Sequence, residues 1–425
     1  MDAVYICGSA FLVFAFFLRI PISFSVGMAA LLYGFVTDRI PIEALVHRMV
    51  MATESWPLMA IPFFVLMGIA LNRGKSGTYL MDLANSLVGW FYGGLSAVMV
   101  LVNMFFGGCS GSAVADASSI GGVMIPEMVS RGYGKGYAAA LNAASSTIGI
   151  IIPPSIPLIL YAWVTEASIR KLFLAGLIPG ILVGVAQIIV AAFLGYKYKH
   201  YRAPRPSFAV VRPQLLKALP ALFIPVIVMG GILAGVYTTT EAALTGAVYV
   251  VVVEMTFYKS FGFKDLFNMF VESAKVSGVV LLLIAMSLIL TYVIVVSGVP
   301  VALQATLAQY ITNGTLAMLT ITAMLLVIGC FLDLAPSLLI FTPIFYPFAT
   351  NLGVDPIQLG VVICMVLGVG LFTPPVGQTL YISALIADAP IEMVSRDILW
   401  FLVAIVLVVL LVIFYLPTTL WMASM

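Results

Sequence analysis

Charge is what this sequence has least of. Only 8% of its 425 residues are Asp, Glu, Lys or Arg, while 63% are hydrophobic. A soluble domain does not hide that much apolar surface, so the chain reads as an all-α polytopic membrane protein. Histidine is rarer still. His47 and His200 are the only two, and both lie near the ends of apolar runs, where an interfacial side chain is the expectation rather than a proton relay. The four cysteines, Cys7, Cys109, Cys330 and Cys364, sit in apolar segments without metal-ligand spacing, which argues against a disulfide framework or a zinc site. A net charge of +2 and the lack of a nucleic-acid-like basic patch leave no case for nucleic acid. The first apolar stretch, from Ala3, lacks a basic leader and a small-residue cleavage site, so it reads as a span rather than a signal peptide.

What is abundant is apolar sequence with punctuation. Spans are expected near 3–20, 22–37, 57–72, 173–197, 218–237, 241–258, 278–297 and 397–421. Two more, 137–168 and 358–388, carry a double proline near the middle, in GIIIPPSIPLILY from Gly149 and GLFTPPVGQTLY from Gly370. Two further stretches, 95–130 and 315–350, are interrupted by small and polar residues, GGCSGSAVADASS from Gly107 and GCFLDLAPS from Gly329. Each has the length of a hairpin that enters the membrane and turns back, a shape allowed only where protein or water satisfies its backbone.

These landmarks recur at one offset. A shift of 221 positions carries Cys109 to Cys330, Pro126 to Pro347, Gly149 to Gly370, and Pro153-Pro154 to Pro374-Pro375. The same shift carries Leu45, in the amphipathic IEALVHRM, to Leu266 in DLFNMFVESAK. Such a shared period marks an internal repeat. The first repeat is expected over 1–200: scaffold spans in 1–90, hairpin 95–130, broken helix 137–168 and span 173–197. A basic, proline-rich link follows at 201–217. The second repeat is expected over 218–425: scaffold spans 218–297, hairpin 315–350, broken helix 358–388 and span 397–421. Three spans, a returning hairpin, a broken span and a final span make an odd number of crossings, so the second repeat is expected to be inverted. With the link cytoplasmic, Arg39, Arg48, Arg170 and Lys171 are the only basic residues outside, as the positive-inside rule favours. Both termini then face outward.

The prolines have a chemical consequence. Each lacks an N–H and clashes with the carbonyl four residues earlier. Pro153 and Pro154 should free the carbonyls of Gly149 and Ile150, and Pro374 and Pro375 those of Gly370 and Leu371. An unsatisfied carbonyl in hydrocarbon costs several kcal/mol, and a hard oxygen suits a small cation. The hairpin tips add Ser110, Ser112 and Asp333, so each tip with its own broken helix is expected to form one cation site. The half-helices restarting at Ser155 and at Gly377-Gln378-Thr379 aim positive N-terminal ends at the same level, which favours an anion. Together these point to sodium-coupled uptake of a carboxylate. The bland readings stand beside them. A double proline can be a mere kink, a serine in a span often bonds back to its own helix, and Asp333 fits a helix cap. Asp116 is either functional or structural, Glu241 fits a helix N-terminus, and Glu254 has no assigned role.

FGGCSGSAVADASSIG, IGIIIPPSIPLILY, EASIRKLFLAGLIPG and VGLFTPPVGQTLY together resemble the large membrane subunit (M, DctM-type) of tripartite ATP-independent periplasmic (TRAP) transporters, over essentially the whole chain. That resemblance implies an elevator-type fold, a scaffold holding a mobile transport domain of two hairpins and two broken helices, in the bacterial inner membrane. It implies sodium-driven import of organic acids such as C4-dicarboxylates or sialic acids, delivered by a soluble periplasmic binding protein. It also implies a small four-helix membrane subunit, expected here as a separate polypeptide. At least two sodium ions and no organic cofactor are expected. Residue by residue, the first sodium site would fall on Ser110, Ser112, Gly149, Ile152 and Pro154, and the second on Asp333, Gly370, Thr373 and Pro375. Asp116 and Ser155 would touch substrate, with Gly377, Gln378 and Thr379 opposite. Three other functions compete with this reading: a stand-alone sodium/dicarboxylate symporter, an intramembrane protease using Asp116 and Asp333, and an inert scaffold. Two costly helix breaks argue against the last.

Overall fold

The computed structural model describes residues 8–10, 14, 20–37, 40–203, 205–307 and 309–423. Most of the span expected at 3–20 therefore lies outside the described residues. Among those described, the regular structure is helical throughout. The chain runs as α1 (Ile22–Thr37), α2 (Ile42–Thr53), α3 (Ala60–Arg73), α4 (Ser76–Val88), α5 (Gly94–Ser110), α6 (Ala113–Ser130), α7 (Lys135–Ser146), α8 (Ile156–Thr165) and α9 (Ile169–Lys197). It continues as α10 (Phe208–Leu233), α11 (Thr239–Val252), α12 (Phe263–Val296), α13 (Val299–Leu307), α14 (Gly314–Gly329), α15 (Leu334–Asn351), α16 (Pro356–Gly370), α17 (Gln378–Ala387), α18 (Ile391–Phe414) and α19 (Pro417–Ala423). Six of these segments are long and apolar enough to cross a membrane.

Several boundaries differ from the sequence reading, each for a local reason. The link is shorter than 201–217, because α10 begins at Phe208 and Pro213 is accommodated near its start. The amphipathic DLFNMFVESAK does not stand apart from the span after it. Both belong to α12, whose 34 residues reach about 50 Å, well beyond a hydrocarbon core of about 30 Å, so its polar first turns extend past the apolar layer. Helices α4 and α13 were not expected, since short amphipathic helices give no span signal. Glu241 does close a capping box with Thr238, its carboxylate accepting from the Thr238 N–H at 2.8 Å, as its position foretold.

Two sets of helix contacts stand out, linked to one another where α12 packs on α15 and α4 on α5. In one, α12 lies against α1 and α2, α11 against α3 and α10, and α10 against α4. In the other, hairpins and broken helices interlock across the repeats. The returning helix of the first hairpin, α6, packs on α17, and the returning helix of the second, α15, packs on α8. Antiparallel pairing runs through the middle. The start of α17 meets the end of α7 where the Thr379 hydroxyl reaches the Ala143 carbonyl at 3.1 Å. The far ends meet where Lys135 pairs with Asp388 at 3.1 Å. Likewise Tyr161 of α8 lies over Gly360 of α16, and its hydroxyl donates to the Pro356 carbonyl at 2.7 Å. Both α8 and α17 end on a left-handed acidic residue, Glu166 and Asp388.

Glu254 finds its role here. It is fully buried in a π-turn (Val253–Phe257) that ends α11, and its carboxylate caps another helix. It accepts from the N–H groups of Lys75 and Ser76 at 3.0 Å each, from the Ser76 hydroxyl, and from the Ser260 hydroxyl at 2.6 Å. An anion there satisfies the orphan donors at the start of α4 and complements its dipole. Gly74 makes room, since a Cβ on it would stand 2.1 Å from the Glu254 carboxyl carbon. Glu254→Ala should lower stability by ~2 kcal/mol or more, because several charge-assisted bonds go at once. Gly74→Ala should do comparable damage. Thermal unfolding in detergent measures both, and an E254A protein melting with its parent would refute the clasp.

Candidate cation and substrate site

The first centre forms where the hairpin tip meets the break between α7 and α8. Gly111 takes the left-handed conformation (φ 61°), and Ser112 then caps α6, accepting from Ala115 N–H at 3.4 Å. The descending helix presses bare backbone on bare backbone. A Cβ on Gly149 would lie 2.3 Å from Gly107 Cα, and one on Gly107 would lie 2.2 Å from Gly149 Cα. Asp116, on the first turn of α6, is fully buried beside this contact. One carboxylate oxygen accepts from the Ser110 hydroxyl at 2.7 Å. The other is buried without a hydrogen-bond partner, 3.1 Å from where a Gly149 Cβ would stand. Ser110, Gly149, Ile152 and Pro154 are buried around it, and Ser112 is half-buried.

The break itself corrects the premise of four bare carbonyls. Ser155 turns its hydroxyl onto the Ile150 carbonyl while accepting from Leu158 N–H at 3.4 Å. In the second break, Thr373 N–H donates to Gly370 at 3.2 Å, and Thr379 N–H donates to Leu371 at 3.0 Å. The physical reason is local: a tight turn just before the second pair gives Gly370 the Thr373 N–H, and the chain turning back after each pair brings Ser155 to Ile150 and Thr379 to Leu371. Among the described residues, Gly149 is the one of the four whose carbonyl receives no hydrogen bond. The other three keep a second lone pair.

The second centre repeats the design with differences. A Cβ on Gly370 would fall 2.6 Å from the Gly329 carbonyl carbon, and Val376 N–H donates to the Cys330 carbonyl at 3.2 Å, tying break to tip. Asp333 caps α15 by accepting from Leu334 N–H at 2.8 Å, with the Gln378 amide beside it, so capping and a place at the tip coexist. Thr373 is half-buried, its hydroxyl on the Val369 carbonyl at 2.7 Å. Pro374, Pro375 and Val376 are exposed where Pro153, Pro154 and Ser155 are buried.

Of the residues expected to touch substrate, the structure gives Ser155 and Thr379 internal duties, both hydroxyls being buried and engaged. Asp116 faces the first centre. Gly377 is buried and Gln378 half-buried. A cavity of about 250 Å³ opens instead between the first hairpin and the scaffold, with Val65, Ile69 and Val276 on its walls and Ser110, Ser112, Ser118, Ser119, Asn72, Arg73 and Glu272 supplying polar groups. Arg73 and Glu272 form an ion pair there.

The family description "Tripartite ATP-independent periplasmic transporter, DctM component" matches residues 9–418. The chain belongs to this family. It is a large permease of the TRAP class, a transporter component and not an enzyme, which removes the protease reading of Asp116 and Asp333. It is 33% identical to the "C4-dicarboxylate TRAP transporter large permease protein DctM" of Pseudomonas aeruginosa over 393 residues, 92% of both chains. It is 35% identical over 414 residues to the "Isethionate TRAP transporter permease protein DctMQ" of Oleidesulfovibrio alaskensis, covering 95% of this chain and spanning 64% of that protein. The crystal structure of the Alcanivorax borkumensis YdaH transporter shares the fold, with a TM-score of 0.65, 12% identity and coverage of 88% of this chain and 87% of that one.

In this DctM-family permease the sequence reading missed the groups that join the two units. Asn142 donates to the Ala117 carbonyl and to the Ser383 hydroxyl, each at 2.9 Å, linking the first hairpin to the second broken helix. Its signal was faint, a lone asparagine in an alanine-rich helix. Gly149→Ala should force the tip off the break at a cost of about 1–3 kcal/mol, whereas Gly122→Ala on α6, with nothing within 4 Å, should be neutral or slightly stabilising. Melting temperatures and limited proteolysis at the hairpin tip would register the contrast. Equal behaviour of the two variants would contradict the contact.

Proposed function

We propose that this chain is the sodium-coupled permease of a binding-protein-dependent system that imports an organic acid by an elevator motion across the bacterial inner membrane. One observation carries the reading: two broken helices lie antiparallel in one interlocked body, each seated on a glycine hairpin tip. Antiparallel pairing is what inverted repeats produce, and with the positive-inside distribution of Lys and Arg it supports both termini facing the periplasm. The interlocked hairpins and broken helices are the moving body, and α1–α3 with α10–α12 are the frame. The TRAP class in turn supports two partners, a small four-helix membrane subunit and a soluble periplasmic binding protein.

The first sodium site is assigned to Ser110, Ser112, Gly149, Ile152 and Pro154, with Asp116 added as the charged member. A buried carboxylate oxygen without a donor, next to a carbonyl without one, fits a small hard cation. The second is assigned to Asp333, Gly370, Thr373 and Pro375. The anion is assigned to the cavity between the first hairpin and the scaffold, where the N-terminal end of α6 and the serines offer donors and Arg73 would have to exchange its Glu272 partner for the substrate. Gly377 and Gln378 bound the opposite break. Relatives named for C4-dicarboxylate and isethionate share an anionic group on a small organic body, and C4-dicarboxylates and sialic acids remain the proposed class. A sodium cargo offsets the charge of an anion that would otherwise cross hydrocarbon alone.

Proteoliposomes carrying this chain with its two partner proteins should take up labelled acid only with an inward sodium gradient. Equal uptake without sodium would reject coupling. Full uptake with this chain alone would favour the stand-alone symporter instead. Asp116→Asn and Asp333→Ala should each raise the sodium concentration for half-maximal uptake about tenfold, the loss of one charged ligand. An unchanged sodium requirement in both would withdraw the site assignment.

A further inference from the structure

A second cavity, of about 470 Å³, opens away from the transport machinery. Trp90, Phe91 and Tyr92, on the turn between α4 and α5, form one wall, and Arg202, Ala203 and Arg205 of the link form the other. The walls are held together: Ala203 N–H donates to the Gly89 carbonyl at 2.8 Å, and Trp90 is oriented by its indole N–H on Leu87 O at 3.0 Å. Arg202 lies over Tyr92 with 4.8 Å from guanidinium carbon to ring centre, and Arg205 over Trp90 at 5.7 Å.

We propose that this pocket binds the headgroup phosphate of an anionic phospholipid, fastening the joint between α4 and the first hairpin to the membrane surface. Stacking occupies only the face of each guanidinium. Its N–H donors lie in the plane and stay free for a bidentate phosphate. No acid competes for them, because the ion pairs among the described residues involve other cations. Arg202 and Arg205, each over an aromatic ring, leave the pocket with two positive charges and no acid among its lining residues. The setting fits a lipid rather than a free anion. Trp90, Tyr196, Tyr198 and Trp400 are exposed nearby, Lys197 lies within 5.8 Å of the Trp400 ring, and exposed Trp and Tyr beside Lys and Arg are what the headgroup level selects. Basic pockets on that face attract anionic lipid at about 1 kcal/mol per charge.

Native mass spectrometry of the detergent-purified chain, supplied with phosphatidylglycerol or phosphatidylcholine, tests this. The parent should retain phosphatidylglycerol. An Arg202→Gln/Arg205→Gln double variant should retain about tenfold less or lower, with phosphatidylcholine retention the same in both. Equal phosphatidylglycerol retention would overturn the proposal. So would its displacement by millimolar inorganic phosphate or glycerol phosphate, which would make this a soluble-anion site. Photoactivatable phosphatidylglycerol gives a reading on the unaltered chain: labelling of residues 89–93 or 200–205 supports the site, and labelling confined elsewhere overturns it.

Discussion

A helix broken inside hydrocarbon must settle every polar group it strands, and this constraint organises the molecule. Each proline pair removes two donors from its helix. The chain answers with a tight turn that gives Gly370 the Thr373 N–H and by curling back after each pair, so that Ser155 and Thr379 deliver donors to Ile150 and Leu371. What remains polar and unserved at the first break is small and local, the Gly149 carbonyl and one oxygen of Asp116. A membrane protein that left all four carbonyls bare would sit at a cost of several kcal/mol for each. Leaving only the Gly149 carbonyl, in a residue close to the Asp116 carboxylate, confines the unmet need to a single point.

Close backbone approach makes that point rigid. With glycine on both sides, Gly107 against Gly149 and Gly329 against Gly370, each hairpin tip rests on its break without an intervening side chain. Around these contacts the repeats exchange partners. The second half of each broken helix packs on the other repeat's hairpin, and Asn142 and Thr379 stitch the interface with buried hydrogen bonds. Neither repeat can complete its own core, so the two centres are carried by one body. Yet they are not equal. The first break is buried, while Pro374, Pro375 and Val376 at the second lie open.

The frame meets this body through specific joints. Buried Glu254 anchors the start of α4, and α4 leads straight into the first hairpin. A carboxylate that satisfies a helix N-terminus from another segment fixes the position of that helix end while leaving its far end to follow the hairpin. The far end is the Trp90–Tyr92 turn, packed against the link between repeats. One end of α4 is thus held by protein electrostatics, and the other packs against the link between the repeats.

Composition and punctuation alone determined that this chain is helical and carries spans long and apolar enough to cross a membrane, with double prolines and glycine-rich tips recurring at one offset. Those properties follow from hydropathy and from what proline and glycine do to a backbone, which are local. The family signature in GGCSGS and IIPPS was local too. Only the tertiary structure decided which stranded carbonyls find donors, because the donors arrive from turns and side chains whose position no single segment encodes. Tertiary contacts also decided that Asp116 turns to Ser110 and the Gly107–Gly149 contact, that Ser155 and Thr379 serve the fold, and that Glu254 caps a helix 178 positions earlier in the chain. A buried acid and a functional acid look the same in sequence, since what separates them is the set of donors that packing brings within 3 Å.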